Sequence, residues 1–127
     1  MMSQPACITL TLPIPPSGNR AARTAGGQHY TPATVTAYRL MVWARLCEAY
    51  PAGSRPPLQP PYALTVTLYV ATLTRLDIDN AIKTVADALC QAAGLTDGLI
   101  TELHGYKRQD RRRGKARCVV ELREASP

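Results

Sequence analysis

A small α/β or α+β domain, with two helices covering a mixed β-sheet, is what the sequence predicts, and three observations carry that expectation. Residues 7–12 and 62–71 alternate apolar with polar side chains, the period-two signature of strands with one buried face. Ile82, Val85, Ala86, Leu89 and Ala93 fall within roughly 60 degrees of one helical face. The elements follow one another as β-α-β-α-β-β in 127 residues, enough for one domain with a substantial core.

In the first strand Ile8, Leu10 and Leu12 alternate against Thr9 and Thr11, and Pro13, Pro15 and Pro16 end the ladder. Gly18-Asn19 and Gly26-Gly27 predict a flexible loop over residues 17–30, where Arg20 and Arg23 would meet a phosphate or face water. Thr31-Pro32 has the form of an N-cap followed by a first-turn proline, opening a helix that reaches Glu48 or Ala49 before Pro51. Val35, Tyr38, Val42, Leu46 and Ala49 form its packing face, Trp43 and Met41 enlarge that face or support a partner surface, and Arg39 and Arg45 remain outside.

Residues 51–61 are a Pro/Gly-rich connector. In the second strand Leu64, Val66, Leu68 and Val70 alternate with Thr65, Thr67 and Tyr69. The second helix, over residues 80–93, stops at Gly94. A turn through Thr96-Asp97-Gly98 leads to strands near residues 99–106 and 116–122, joined by a charged hairpin loop at 109–114.

Composition narrows the class. No uninterrupted 18-residue apolar stretch offers a membrane span, and the N-terminus lacks a signal-peptide core, so the expectation is a soluble, cytoplasmic protein. Cys7, Cys47, Cys90 and Cys118 are too widely spaced for a zinc site and suit packing positions. His104, inside an apparent strand, is expected to be an ordinary strand side chain, and neither it nor His29 is assigned a chemical role.

Charge is distributed unevenly. Lys107, Arg108, Arg111, Arg112, Arg113, Lys115 and Arg117 against Asp110 leave +6 over residues 107–117, equal to the formal charge of the whole chain. Such a segment attracts a polyanion or is simply a solvated hairpin tip. Upstream lies the acidic run Leu76-Asp77-Ile78-Asp79-Asn80, at the passage from second strand to second helix. Two-residue spacing points Asp77 and Asp79 to one side, although Asp79 alone would also serve as an N-cap. Lys83 lies four residues past Asp79 and four before Asp87, placed to neutralise carboxylates or to stabilise charge on a phosphate. Asp97 is positioned to fold back toward Asp77 and Asp79, or to remain a solvent-facing turn residue. Oxygen ligands favour magnesium, or manganese, over zinc, and such an ion would polarise a phosphate, activate water and relieve repulsion between the carboxylates and DNA. Basic surface and clustered carboxylates together point to metal-dependent cleavage of nucleic acid.

Arg75-Leu76-Asp77-Ile78-Asp79-Asn80, then Lys83, Ala86-Asp87-Ala88-Leu89, Gly94 and Asp97, resemble the RusA family of Holliday-junction resolvases. The proline-rich run from Leu12 through Ser17-Gly18-Asn19-Arg20 resembles that family's N-terminal segment, and the likeness extends over nearly the whole chain. The resemblance implies a homodimeric, magnesium-dependent crossover-junction endodeoxyribonuclease that cuts four-way DNA junctions by paired, symmetric phosphodiester hydrolysis. It implies that Asp77, Asp79 and Asp97 are the catalytic, metal-holding acids and Lys83 the catalytic lysine, with Asp87 matching a further acidic position. Asn19, Arg20 and Arg75 are then candidate DNA contacts, beside Lys107, Arg108, Arg111, Arg112, Arg113 and Lys115 from the charge pattern. Thr96 departs from the acidic residue many relatives carry before the matched aspartate. Two other functions remain open on the residues alone: a noncatalytic module binding structured DNA, and a metal-dependent phosphodiesterase with no junction preference.

Overall fold

The computed structural model describes residues 6–16, 23–25, 28–30 and 33–126, and for residues 23–25, 28–30 and 75 it describes the backbone alone. In chain order the elements are β1 (Cys7–Leu12), β2 (Arg23–Ala25), β3 (Gln28–Tyr30), α1 (Ala33–Ala49), β4 (Tyr62–Val70), α2 (Ile78–Ala93), β5 (Ile100–Gln109) and β6 (Arg117–Glu124). Single 3-10 turns at Leu73–Arg75 and Asp97–Leu99 flank α2. This is a mixed α+β domain, as the periodicities predict. Part of the segment expected to be a loop, residues 17–30, instead forms the short antiparallel pair of β2 and β3; Thr31, Pro32, Asn19 and Arg20 lie outside the described residues.

The main sheet has the order β1-β6-β4-β5. Its strand β4 is parallel to β5 and antiparallel to β6. Parallel neighbours need a crossover, and α2 supplies it, running back over the sheet from the end of β4 to the start of β5. The strands β5 and β6 are therefore not the hairpin expected from their adjacency in sequence, because β4 lies between them. Residues 110–116 cross the end of β4 instead, tied there by the Asp110 N–H donating to the Val70 carbonyl at 2.8 Å. Alternation identifies a strand and its buried face, but carries no information about which strand sits alongside.

Beneath the helices Leu64, Val66, Leu68, Cys118 and Val120 are wholly buried, together with Val42, Val85 and Ala88 from the helices. On α1 the buried set is Val35, Tyr38, Val42 and Leu46, while Met41 and Trp43 are 41% and 52% exposed and so do not enlarge the packing face. Each stands one residue from Val42, about 100 degrees round the helix, so once Val42 faces the sheet its neighbours turn away. The buried phenol of Tyr38 donates to the Pro13 carbonyl at 2.9 Å, fastening the chain that leaves β1, and burial raises its pKa. Burial likewise pushes the Cys118 thiol up to about 12, whereas Cys47 is exposed and Cys7 half-buried, so packing accounts for only part of the cysteine set.

One contact sets how closely α2 approaches the edge strand. A Cβ placed on Gly105 of β5 would stand 1.8 Å from Ile82 Cδ1 and 3.1 Å from Ile82 Cγ1, so the absent side chain is what lets the helix rest there. Gly105→Ala is expected to force Ile82 out of its place and destabilise the fold by about 1–3 kcal/mol, the usual range for overpacking. A urea titration should show a lower midpoint with an unchanged slope; a midpoint equal to wild type would mean that the helix is not held at this distance.

Candidate active site

The acidic motif is placed by the way α2 begins. Asp77 occupies the N-cap, and its carbonyl accepts the first helical hydrogen bond from Ala81 at 3.0 Å. Its carboxylate does not cap the helix backbone; Oδ2 accepts from the Asn80 side-chain amide at 3.1 Å. Asp79, in the first turn, accepts from the Asn80 backbone N–H at 3.0 Å. Asn80 thus donates to both carboxylates, to Asp77 through its side-chain amide and to Asp79 through its backbone. Both acids are exposed and sit at the N-terminal end of the helix.

From Asp79 a groove of about 420 Å³ runs along α2 beside the edge strand β5. Asp79, Lys83 and Asp87, spaced one helical turn apart, form one wall with Ile82 and Ala86; Ile100, Leu103 and Gly105 form the other. Asp97 closes the far end. Burial first, and then the negative charges of Asp97 and Asp87, raise the pKa of the Cys90 thiol, so these two acids share one neighbourhood.

Asp97 follows the far end of α2, in the 3-10 turn before β5, and lines the same groove as Asp79. Helix α2 is 16 residues long, which at 1.5 Å per residue puts roughly 24 Å between its ends. One chain therefore carries two acidic ends: Asp77 with Asp79 at the start of α2, and Asp87 with Asp97 toward its finish. Among the described residues no three His, Cys, Asp or Glu side chains stand close enough together to hold a metal ion. The donors themselves suit magnesium or manganese, since exposed carboxylate oxygens are hard ligands and such ions commonly take one or two carboxylates with substrate phosphate completing the shell.

Residues 13–123 match the family described as Endodeoxyribonuclease RusA. The chain belongs to the RusA family. Membership implies a Holliday-junction-resolving endonuclease, and it covers the acidic motif, the groove and the basic segment together. No curated protein matches the sequence. Among the described residues no helix is long and apolar enough to cross a membrane.

The basic segment of this RusA-family chain is more ordered than a solvated tip. Asp110, its side chain only 10% exposed, accepts from Arg112 at 2.7 Å and from Arg117 at 2.9 Å, and the Arg117 guanidinium also lies 4.0 Å from the Tyr69 ring centroid. Arg108 lies over Tyr106 at 4.9 Å. The side chains of Arg111, Arg113 and Lys115 are exposed and have no protein partner among the described residues. Lys107 points the other way: half-buried, its ammonium donates to the carbonyls of Leu73 and Leu76, while Gln109 donates to the Ala71 carbonyl at 3.0 Å. His104, exposed and 3.8 Å from Glu102, alternates onto the opposite sheet face from Leu103 and Gly105 and takes no part in the groove. The sequence reading missed the inward turn of Lys107 and Gln109, which the alternation Leu103, Gly105, Lys107, Gln109 contains once the strand is carried past Tyr106.

Hydrogen bonds from Arg112 and then Arg117 hold the Asp110 carboxyl well below the usual carboxylate range. A depressed folded-state pKa stabilises above the unfolded value, about 3.9, and that contribution is lost as pH falls through the folded value. Asp110→Asn should therefore lower the unfolding midpoint at pH 7, and the gap to wild type should begin to narrow below about pH 4 and close only as pH falls through the depressed folded value. A gap that stayed constant with pH would mean the carboxylate's charge is not what anchors the crossing.

Proposed function

We propose that this protein resolves four-way DNA junctions as a homodimer, by paired symmetric phosphodiester hydrolysis dependent on magnesium, with manganese able to replace it. The observation that carries this is the groove with Asp79, Lys83 and Asp87 along one wall and Asp97 at its far end. Because no three acids of one chain cluster closely enough to hold an ion among the described residues, the ligand set is completed between copies: Asp77 and Asp79 of one, Asp97 of the other. Leu103 and Leu99, 53% and 41% exposed beside the groove and Asp97, offer apolar surface that a second copy would cover.

The bound ion would polarise the scissile phosphate and ease deprotonation of water. Asn80 holds the Asp77 carboxylate through its side-chain amide and the Asp79 carboxylate through its backbone N–H. Lys83, between the two acidic ends, balances charge building on the phosphate oxygens. Arg108, Arg111, Arg113 and Lys115 bind the DNA backbone, which fixes register without reading sequence. Arg112 contributes less freely because Asp110 engages it. Asn19, Arg20 and Arg75 are proposed contacts of the same kind.

The test compares four-way junction, duplex and single-stranded DNA with Mg2+, Mn2+ or chelator. Cleavage should occur at the junction and only with the ions. Lys83→Met should slow single-turnover cleavage about 10²–10³-fold, the usual effect of removing one charge stabiliser. Asp79→Asn should abolish the ion's effect, and both variants should bind junctions in chelator as wild type does. Junction binding with no cutting by folded wild-type protein would make this a recognition module; equal cutting of all three DNAs would remove the junction preference.

A further inference from the structure

Between β4 and α2 the chain leaves the sheet, makes one 3-10 turn and enters the helix with Asp77 at the N-cap. The carbonyls of this passage have no ladder to join, and β5 supplies their donors. Gln109 holds Ala71, and the Lys107 ammonium reaches both Leu73 and Leu76. The Leu76 carbonyl belongs to the peptide that joins Leu76 to Asp77. A charged donor on that peptide fixes the backbone from which the Asp77 side chain springs, and Asn80 passes the constraint to Asp79. Charge-assisted hydrogen bonds are roughly twice as strong as neutral ones, and removing the ammonium leaves the part-buried Leu76 carbonyl without its donor.

We propose that Lys107 is a positioning residue that locks the Leu76–Asp77 peptide, and with it the Asp77 and Asp79 carboxylates, in the geometry a divalent ion requires. On the charge pattern alone it would have been counted among the phosphate contacts. The proposal rests on the nuclease function above for what the carboxylates do, but the lock itself is a statement about the backbone. Its reach is local: β4 and β6 have their own ladder, so loss of Lys107 loosens the approach to α2 and leaves the sheet intact.

The test uses the full chain and Lys107→Met, with Arg111→Gln/Arg113→Gln as the phosphate-contact control. In hydrogen exchange the peptide spanning residues 71–81 should exchange about tenfold faster in Lys107→Met, while peptides of β4 and β6 stay as in wild type. Calorimetric titration with Mn2+ should show about 10–100-fold weaker binding, the range for losing a residue that orients metal ligands. Junction binding in chelator should stay within about twofold of wild type for Lys107→Met, whereas the control should bind more weakly with a flatter salt dependence. Should Lys107→Met fail to fold, Lys107→Arg carries the comparison. It keeps the charge but replaces a compact ammonium by a wider planar fork, so it should weaken Mn2+ binding and spare junction binding. Unchanged exchange over residues 71–81, or a loss of chelator-insensitive DNA binding matching the control, would overturn the proposal. If wild type cut no DNA while exchange still rose in Lys107→Met, the lock would stand and the nuclease function would fall.

Discussion

The crossover helix is a rod of fixed length, and the placement of every candidate catalytic group follows from it. Parallel pairing of β4 with β5 obliges the chain to return along the sheet, and α2 does so in 16 residues. Whatever precedes the helix is carried to one end of the sheet and whatever follows it to the other. Asp77 and Asp79 precede or open it; Asp97 follows it. Gly105 lets the rod lie against β5, and the space left beside it is the groove. With two copies related by a two-fold axis, each contact from one end of the rod to the partner's other end occurs twice. In the proposed dimer two equivalent composite sites would result, the number that paired cuts on opposed strands of a junction require.

Electrostatics divides the same molecule into a part that repels DNA and a part that attracts it. The acids along α2 face the groove, while the excess positive charge sits on the segment crossing the end of β4. That segment does not merely dangle. Asp110 binds the Val70 carbonyl through its backbone and Arg112 and Arg117 through its side chain, so one acidic residue among seven basic ones gives the crossing a fixed shape. Two of the positive charges are used internally in this way and Lys107 is used for the acidic loop, leaving Arg108, Arg111, Arg113 and Lys115 as the solvent-facing set.

Much of this was legible in the sequence, and the parts that were not share a cause. Alternation over residues 7–12 and 62–71 located β1 and β4, and the apolar face of residues 80–93 located α2, because burial acts on each element separately and leaves a periodic mark. The acidic motif was legible for the same reason of locality: Asp77, Asp79 and Asn80 lie within one turn. What the sequence misplaced was relative position. Adjacency suggested a hairpin for β5 and β6, yet β4 separates them. Hydrophobicity alone left Trp43 and Met41 open to packing inward or to facing a partner, and the phase set by Val42 turned them out. Lys107 was assigned by its charge to DNA, when its face of the strand directs it to two carbonyls.

Composite sites make a demand that a site within one chain does not. Asp79→Asn and Asp97→Asn proteins are each expected to be inactive, but a mixed dimer would pair the intact Asp79 of one chain with the intact Asp97 of the other in one of its two sites. Refolding the two variants together and assaying a four-way junction with Mg2+ should therefore restore nicking of one strand per junction, at up to about half of the dimers under random exchange. Mixtures as inactive as either variant alone, with exchange of subunits demonstrated, would contradict a site shared between copies.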